Sequence, residues 1–268
     1  MKQPVTPPDG HVLITGPTSG IGLALAREFA ARGRNLILVS SNTARLRATA
    51  LELESGYGIK TISITSDLAV PLNAEKLFNT CTKRKLKVET LVNNAGIGLG
   101  AKPQTEQSLL ESRTLFQLNC ATPLELSTLF GKAMAARGGG HILNVASTAA
   151  YQALPYTALY AAGKAFLLSL SEAMHVELKA AGVVVTAVSP GLTDTNFFKH
   201  GRPKIPGWLY RIITPEQVAK KALRALEIGK PVTIPCFQHW LFAQFPRLLP
   251  RRWMLGLMRI IEKKRKRI

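Results

Sequence analysis

The segment Thr15-Gly16-Pro17-Thr18-Ser19-Gly20-Ile21-Gly22 is the most informative part of the sequence about its architecture. It follows an apolar run at residues 11–15 that predicts a buried strand, and it leads into a helical pattern at residues 23–31. Its glycines allow a tight turn in which the backbone can approach a pyrophosphate, and the amides and dipole at a helix N-terminus favour an anion. An ordinary glycine-rich turn is the alternative. The position between a first strand and a first helix favours phosphate binding.

Apolar runs alternate with helical patterns over most of the chain. Further strands are predicted at residues 36–39, 60–65, 90–92, 141–145, 183–188 and 232–234, and further helices at residues 43–55, after Pro71, at residues 106–136 and 156–180, and from Thr214 onward. Apolar strands separated by helices are typical of a parallel sheet covered on both faces. We therefore predict a single α/β, doubly wound Rossmann-type domain of about seven strands, with its ligand at their carboxyl ends.

The composition suits one such domain with a charged appendage. The 268 residues are 46% apolar, which argues against general disorder, and no stretch is long and apolar enough to cross a bilayer. The formal net charge is +19, and nine Lys/Arg stand against one Glu from Arg247 onward. We expect an N-terminal tail at residues 1–10, a dinucleotide-binding catalytic domain at residues 11–235 and a C-terminal amphipathic basic extension at residues 236–268.

The cysteines and histidines indicate neither a metal site nor a disulfide framework. Cys81, Cys120 and Cys236 are far apart and odd in number, and the five histidines are equally scattered. A reducing compartment is the simpler interpretation, so we expect a cytoplasmic protein.

The glycine spacing, G-x-x-x-G-x-G, resembles the fingerprint of the short-chain dehydrogenase/reductase family. The resemblance recurs in the family's order over about residues 12–234, at Asn93-Asn94-Ala95-Gly96, Asn119, Ser147, Tyr160-x-x-x-Lys164 and Pro190-Gly191. It implies an oxidoreductase that interconverts a carbonyl and an alcohol by hydride transfer.

The catalytic chemistry also follows from the residue types. Carbonyl reduction needs an acid, and a free tyrosine has a pKa near 10, which a neighbouring cation lowers. Tyr160 and Lys164 are four residues apart and share one face of a helix, although such a pair is common on any exposed helix. By resemblance, Ser147 polarises the carbonyl, Tyr160 transfers the proton, Lys164 also holds the nicotinamide ribose and Asn119 anchors a water. Turn capping by Ser147, a functional Thr148 and a structural Asn119 are the alternatives.

The cofactor is predicted to be NADP(H), with NAD(H) as the alternative. The second strand ends in Ser40-Ser41-Asn42 without the acid that binds a ribose 2′-hydroxyl in NAD enzymes, and Arg45 can supply a cation unless it only faces solvent. By resemblance, Asp67 and Leu68 match the family position that contacts adenine, where a helix cap at Asp67 is the alternative, and Asn93 matches the position that steadies the central sheet near the adenosine. The predicted cofactor-binding residues are Gly16, Ser19, Gly20, Ile21, Gly22, Ser40, Ser41, Arg45, Asp67, Leu68, Asn93, Ala95, Gly96, Tyr160, Lys164, Pro190, Gly191 and Thr193.

The C-terminal part suggests the substrate and the partners. Residues 197–211 carry Phe197, Phe198, His200 and Trp208-Leu209-Tyr210 among basic residues, which suits a lipophilic substrate, although these aromatics could equally pack in the core or at a subunit interface. Residues 237–268 interleave aromatics with arginines, like a helix lying on an anionic membrane surface, with packing on the protein as the alternative. The resemblance also implies a homo-oligomer.

Two other functions compete with the oxidoreductase. The pI of about 10.3 could indicate a nucleic-acid-binding or scaffold protein, but the charge is concentrated at one end and no nucleic-acid motif is present, which disfavours a nucleic-acid partner. A relative with epimerase or lyase chemistry is the other alternative, disfavoured by the complete set of Asn119, Ser147, Tyr160 and Lys164.

Overall fold

The computed structural model describes residues 10–195 and 211–266. In these ranges, seven parallel strands form one sheet in the order β3-β2-β1-β4-β5-β6-β7. The strands are β1 (His11–Thr15), β2 (Asn35–Ser40), β3 (Thr61–Thr65), β4 (Val88–Asn93), β5 (Gly140–Val145), β6 (Val183–Val188) and β7 (Val232–Thr233). This confirms the predicted doubly wound α/β architecture.

Helices cover both faces of the sheet. They are α1 (Gly20–Ala30), α2 (Thr43–Tyr57), α3 (Asn73–Lys83), α4 (Leu109–Phe116), α5 (Thr122–Ala136), α6 (Ala158–Lys179), α7 (Pro215–Glu227), α8 (Phe237–Leu248) and α9 (Arg251–Lys266). The first residue of α7 is well defined. Thr214 and Gln217 form a reciprocal capping box, and Pro215 between them suits the first turn of a helix.

The apolar strands are explained by burial on both faces. Successive side chains of a strand point to opposite faces. In β1, Val12 and Ile14 pack in one apolar layer with Phe29 of α1, whereas Leu13 packs in the other layer with Leu126 of α5. Every one of these side chains is fully buried, so the strand has no polar face to display.

The strand order reverses direction at β1, which has β2 on one side and β4 on the other. The chain leaves the carboxyl ends of β1 and β4 toward opposite faces, and this opens a crevice between them. The glycine-rich turn at residues 16–22 and the segment at residues 94–96 lie at this crevice, because they follow β1 and β4 directly.

The helical region predicted at residues 106–136 is interrupted. A 3-10 turn, Gln104–Glu106, precedes α4, and a π-helical turn, Gln117–Ala121, separates α4 from α5. A π-helical turn adds one residue to the helix, and such turns occur frequently at functional sites. It contains Asn119.

A buried charge network lies at the amino end of the sheet, opposite the crevice. Glu89 of β4 is 3% exposed, and its carboxylate pairs with Arg34 at 3.4 Å and with Lys87 at 2.8 Å. The Arg34 guanidinium also donates to the carbonyl of Gly10 at 2.9 Å. His141 of β5 is beside this network, since it pairs in register with Thr90. Burial lowers the pKa of His141 to about 4, with Glu89 raising it and Arg34 lowering it further.

The low pKa of His141 predicts an acid-sensitive fold. Between pH 6.5 and pH 4 the unfolded chain binds more protons at this imidazole than the folded chain does, so the free energy of unfolding falls as pH falls through this range. We expect His141 to contribute about 3 kcal/mol to this fall. Urea unfolding of wild type and His141→Gln at both pH values measures the contribution. An equal fall in the two proteins contradicts it.

Candidate active site

The glycine-rich turn is too tightly folded to accept side chains. Gly16 and Gly20 have φ values of 65° and 53°, in the left-handed region that favours glycine. A Cβ on Gly22 would lie 2.0 Å from the carbonyl oxygen of Gly16 and 2.4 Å from Asn94 Nδ2. This turn leads directly into α1. The N-cap residue of α1, Ser19, is exposed, and its side chain makes no capping hydrogen bond. A helix N-terminus with this geometry suits a pyrophosphate.

Two residues outside the predicted set hold this turn in place. The Asn94 amide group donates to the carbonyls of Thr15 at 3.0 Å and Gly16 at 2.9 Å. The Thr15 hydroxyl accepts from the backbone amides of Asn94 and Ala95, both at 3.0 Å. The phosphate-binding turn and the segment after β4 thus form one hydrogen-bonded unit. The sequence indicated Thr15 and Asn94 only because they belong to the two motifs at residues 15–22 and 93–96.

Asn93 faces the interior instead of the crevice. Its amide group donates to Asn144 of β5 at 2.8 Å and to Ser127 of α5 at 2.9 Å, and Asn144 in turn donates to Ser171 of α6 at 2.9 Å. This chain of buried polar groups ties the centre of the sheet to two helices. Asn93 therefore acts on the crevice through the position of its neighbours Asn94 and Ala95.

The catalytic candidates come together at the carboxyl end of β5. Ser147 follows this strand, and its hydroxyl accepts from the amide of Ala149 at 3.1 Å and lies 3.4 Å from the carbonyl of Pro190. The hydroxyl of Tyr160, one turn into α6, hydrogen-bonds with the Ser147 side chain. Ser147 thus caps a short 3-10 turn and contacts the phenol at the same time.

Lys164 lies behind Tyr160, buried in the protein. Its ammonium donates to the carbonyl of Val145 at 2.7 Å and lies 5.8 Å from the centre of the Tyr160 ring. Burial lowers the pKa of Lys164 to about 8. Burial also raises the pKa of Tyr160 to about 12, although the hydrogen bond with Ser147 acts in the opposite direction. Loss of hydration thus acts against the lowering that a neighbouring cation predicts for this phenol.

Asn119 is fixed by both ends of its side-chain amide. Its Oδ1 accepts from the amide of Ile97 at 3.0 Å, and its Nδ2 donates to the carbonyl of the same residue at 2.8 Å. A Cβ on Gly96 would lie 3.1 Å from Asn119 Oδ1 and 3.8 Å from Lys164 Nζ. Asn119, Gly96 and Lys164 are therefore neighbours. The amide fastens the segment after β4 to the π-helical turn.

β2 ends in Ser40, and neither Ser40 nor the following Ser41 and Asn42 carries a carboxylate. Ser40 accepts from the amide of Asn42 at 3.3 Å, and the Asn42 side chain caps α2 by accepting from the amide of Arg45 at 2.9 Å. The side chains of Ser41 and Arg45 are exposed beside this end of the sheet. An exposed guanidinium and serine hydroxyls can bind a phosphate on a ribose.

The two residues that were predicted to contact adenine, Asp67 and Leu68, differ in burial. Asp67 is exposed and accepts from the amide of Ala69 at 3.0 Å in a turn, while α3 begins only at Asn73, so Asp67 is not the cap of this helix. Leu68 is 4% exposed and packs in the core, with its carbonyl accepting from Thr122 at 2.7 Å.

The segment after β6 returns to the glycine-rich turn. Thr193 pairs with Ile213 across the gap in the described residues, and its hydroxyl donates to the carbonyl of Gly191 at 3.1 Å. A Cβ on Gly20 would lie 3.1 Å from Thr195 Cγ2, so this segment closes one side of the crevice. The predicted substrate-covering aromatics at residues 197–210 lie outside the described residues.

A small cleft opens beside Tyr160. Its lining includes Leu99, Leu115 and Leu159 together with Tyr156, Gln104 and Gln107. Tyr156 has a φ of 66°, unusual for a residue other than glycine, and its carbonyl accepts from the amide of Lys102 at 3.1 Å. Strained backbone of this kind tends to occur at functional sites. The sequence did not indicate Tyr156, because its conformation depends on contacts with a distant loop.

Two further expectations concern the whole chain. Among the described residues, no group of three His, Cys, Asp or Glu side chains could hold a metal ion, and Cys81, Cys120 and Cys236 are free thiols. In the same ranges, no helix is long and apolar enough to span a bilayer.

Comparison with known proteins agrees with this geometry. The family model of short chain dehydrogenases matches residues 10–205. The chain is 30% identical over 220 residues to the ketoacyl reductase HetN of Nostoc sp., a match that covers 81% of this chain and 75% of that protein. It is 34% identical over 190 residues to a very-long-chain 3-oxoacyl-CoA reductase of Pyrenophora tritici-repentis, covering 70% of this chain and 56% of that protein. The chain therefore spans little more than half of this fungal relative.

The fold is also similar to that of solved structures. A short-chain dehydrogenase from Sphingobium yanoikuyae in complex with NADPH has a TM-score of 0.78 and 28% sequence identity, covering 89% of this chain and 94% of that chain. The family model covers well over half of the sequence. The chain belongs to the short-chain dehydrogenase/reductase family.

Proposed function

We propose that this chain is an NADP(H)-dependent oxidoreductase that interconverts a carbonyl and an alcohol on a lipophilic substrate. The observation that carries the proposal is the hydrogen bond between Tyr160 and Ser147 beside the buried Lys164, at the same end of the sheet as the phosphate-binding turn. NADP(H), when bound, supplies the hydride for reduction or accepts it in oxidation.

The two hydroxyls supply two hydrogen-bond donors for the oxygen of a substrate. A substrate carbonyl that accepts from both Ser147 and Tyr160 is polarised by two donors, and negative charge that develops on it is stabilised where it forms. Tyr160 then gives its proton to this oxygen, and the ammonium of Lys164 stabilises the phenolate that remains. In oxidation the same groups act in the reverse order.

The protonation state of Tyr160 favours its role as an acid. Burial raises the pKa of Tyr160 to about 12, so the phenol keeps the proton that carbonyl reduction requires, whereas the hydrogen bond with Ser147 lowers this pKa toward the range in which proton transfer is easier. The ketoacyl reductase from Nostoc sp. and the 3-oxoacyl-CoA reductase are named for this direction, which supports a reductase.

The preference for NADP(H) rests on the end of β2. Residues 40–42 carry no carboxylate that would repel a 2′-phosphate, and Ser40, Ser41 and Arg45 supply two hydroxyls and a cation. The Sphingobium structure contains NADPH, which supports the same assignment. The tight turn at Gly16, Gly20 and Gly22 and the exposed N-terminus of α1 fit the pyrophosphate of either dinucleotide.

Replacing Arg45 tests the cofactor preference. In Arg45→Ala we expect the Kd for NADPH to rise about 10- to 100-fold, because a charge-assisted hydrogen bond is lost, while the Kd for NADH stays within about twofold. Fluorescence titration with each nucleotide measures both values. Arg47→Ala, an exposed arginine on the same helix, is the matched control and should change neither. Equal effects on NADPH and NADH would contradict the assignment.

The side chains around Tyr160 and the names of the relatives support a lipophilic substrate. The leucines beside Tyr160 offer apolar contact to a chain or ring attached to the carbonyl, and acyl thioesters are the substrates named for the fungal relative. NADPH oxidation, followed by absorbance with 3-ketoacyl thioesters, ketones and aldehydes, tests the proposal. Failure of every carbonyl tested, despite measured NADPH binding, would count against it.

The partners proposed with this activity are a second copy of the chain and an anionic membrane. Exposed apolar side chains gather on the neighbouring helices α4, α5 and α6, at Leu109, Leu110, Phe116, Leu124, Phe166 and Val176. Burial of these side chains in a homo-oligomer would remove them from water, which supports pairing through these helices. The membrane contact is assigned to residues 237–268 of a cytoplasmic protein.

A further inference from the structure

The helices α8 and α9 present an apolar and basic surface away from the sheet. Its apolar members are between 39% and 77% exposed, which is high for large side chains near the end of a folded domain. We call the following residues the tail surface: Phe237, Trp240, Leu241, Phe245, Leu248, Trp253, Leu255 and Leu257, with Arg247, Arg251, Arg252 and Arg259.

The opposite side of these helices is fixed to the catalytic domain. His239, Ala243, Met254 and Met258 are at most 8% exposed. Two consecutive side chains of α8 hold Arg211, because Gln238 Oε1 accepts from its amide at 3.2 Å and His239 Nε2 bonds with its carbonyl at 2.7 Å. The tail surface is therefore the outer face of two helices whose inner face packs on the catalytic domain.

The position of α8 places the tail surface near the catalytic end of the sheet. α8 contacts the 3-10 turn Thr148–Tyr151, which begins directly after Ser147. Arg211, held by α8, is two residues from Ile213, which pairs with Thr193 of the segment after β6. The tail surface and the candidate active site therefore share one end of the molecule.

The charge of the tail surface has one sign. Residues 237–259 contain four arginines and no Asp or Glu, and residues 260–268 add five Lys/Arg and one Glu. In α9, Arg252 and Arg259 are seven residues apart and so lie on the same face, two turns from each other, opposite the buried Met254 and Met258. Trp253 and Leu257 are four residues apart and flank this basic face.

This composition selects among three kinds of occupant. A symmetric second copy would bring the same arginines against each other, with no acidic residue in the surface to pair them. A nucleic acid would match the arginines but would leave Leu241, Leu248, Leu255 and Leu257 in contact with water or phosphate. An anionic bilayer matches both properties, because tryptophan and leucine enter the interfacial region while arginine stays at the level of the headgroups.

We propose that the tail surface docks this protein peripherally on an anionic lipid bilayer. Docking by itself does not depend on the enzymatic activity. The consequence that a lipid-borne substrate reaches the cleft beside Tyr160 from the bilayer rests on the proposed function.

The contribution of the arginines to bilayer binding is tested with the full chain and two kinds of vesicle. One kind contains phosphatidylcholine alone, and the other contains phosphatidylcholine with phosphatidylserine. We expect co-sedimentation with the vesicles that contain phosphatidylserine, weakened by added salt. In Arg251→Gln/Arg252→Gln the partition coefficient should fall roughly 30-fold, since each basic residue near an anionic surface contributes about fivefold. The matched control is Lys220→Gln/Lys221→Gln, two exposed charges on α7, which should bind like wild type. An equal loss in both double variants would overturn the assignment to this surface.

The aromatic contact is tested separately. Trp240→Ser/Trp253→Ser removes two exposed rings and should reduce partitioning at high salt, while Leu109→Ser/Leu110→Ser on α4 should not. NADPH affinity, measured in each variant, shows that the fold is intact and keeps a failure of docking distinct from a failure of the enzymatic proposal. Equal binding to neutral and anionic vesicles, retention on RNA or DNA but not on vesicles, or dimerisation lost in the Trp240/Trp253 variant without any vesicle binding would each overturn the proposal.

Discussion

Replacing Tyr160 with Phe is expected to lower kcat for carbonyl reduction by about 100- to 10,000-fold, the range that a positioned acid contributes. The variant loses one oxygen, which removes the proton donor and the hydrogen bond with Ser147. The ring remains to fill its place in α6 beside Lys164, so the packing and the phosphate-binding turn are unchanged. Stopped-flow or steady-state absorbance of NADPH measures the loss, and fluorescence titration should show a Kd for NADPH within about threefold of wild type.

A second phenol provides the control for this experiment. Tyr57 lies at the end of α2, is 40% exposed and belongs to no part of the candidate site, so Tyr57→Phe should retain full activity. Turnover in Tyr160→Phe at a rate close to wild type would show that another group supplies the proton. Loss of both activity and NADPH binding would instead indicate that the phenol supports the fold of the crevice.

Replacing Gly22 with Ala is expected to raise the Kd for NADPH by at least about 100-fold. The added methyl would lie 2.0 Å from the Gly16 carbonyl oxygen and 2.4 Å from Asn94 Nδ2, both of which belong to the hydrogen-bonded unit that forms the turn. The backbone must move apart, and the amides that face the pyrophosphate move with it. We also expect a loss of about 1–3 kcal/mol in the free energy of unfolding, the usual cost of overpacking.

The matched control for Gly22→Ala is Gly56→Ala in α2. No atom lies within 4 Å of a Cβ built on Gly56, and its backbone is helical, so alanine there should leave NADPH binding unchanged and stabilise the helix by about 0.5–1 kcal/mol. Titration and urea unfolding of the two variants measure both effects. A Gly22→Ala protein that binds NADPH as wild type does would show that the turn accepts a side chain and would remove the steric argument.

The elements of the sheet could be predicted closely because their cause is local. Strands such as Leu36 to Val39 are buried on both faces, so their sequence is a continuous apolar run that identifies them without any tertiary information. The start of α7 was equally predictable, since Thr214, Pro215 and Gln217 are signals within one turn. The π-helical turn was not, because one inserted residue hardly changes an apolar pattern with a period of 3.6.

The candidate site divides in the same way. Ser147, Tyr160 and Lys164 could be identified because their spacing along the chain is characteristic. Asn94 was not among the predicted site residues, because its hydrogen bonds with Thr15 and Gly16 depend on how β1 and β4 lie side by side in the sheet. The effect of burial on the pKa of Tyr160 could not be predicted for a related reason. Spacing indicates a nearby ammonium, whereas the loss of hydration depends on the atoms that the whole fold packs around the phenol.

The bonds from α8 to Arg211 have a practical consequence for anyone who shortens this protein. Truncation after Cys236 would delete Gln238 and His239 together and strip both main-chain hydrogen bonds from Arg211. Poor turnover of the shortened enzyme would then have two explanations. One is the disturbance of Arg211, near Ile213 and Thr193, and the other is the loss of the membrane contact. Engineering of the C-terminus should therefore keep these two side chains and change only those that face outward.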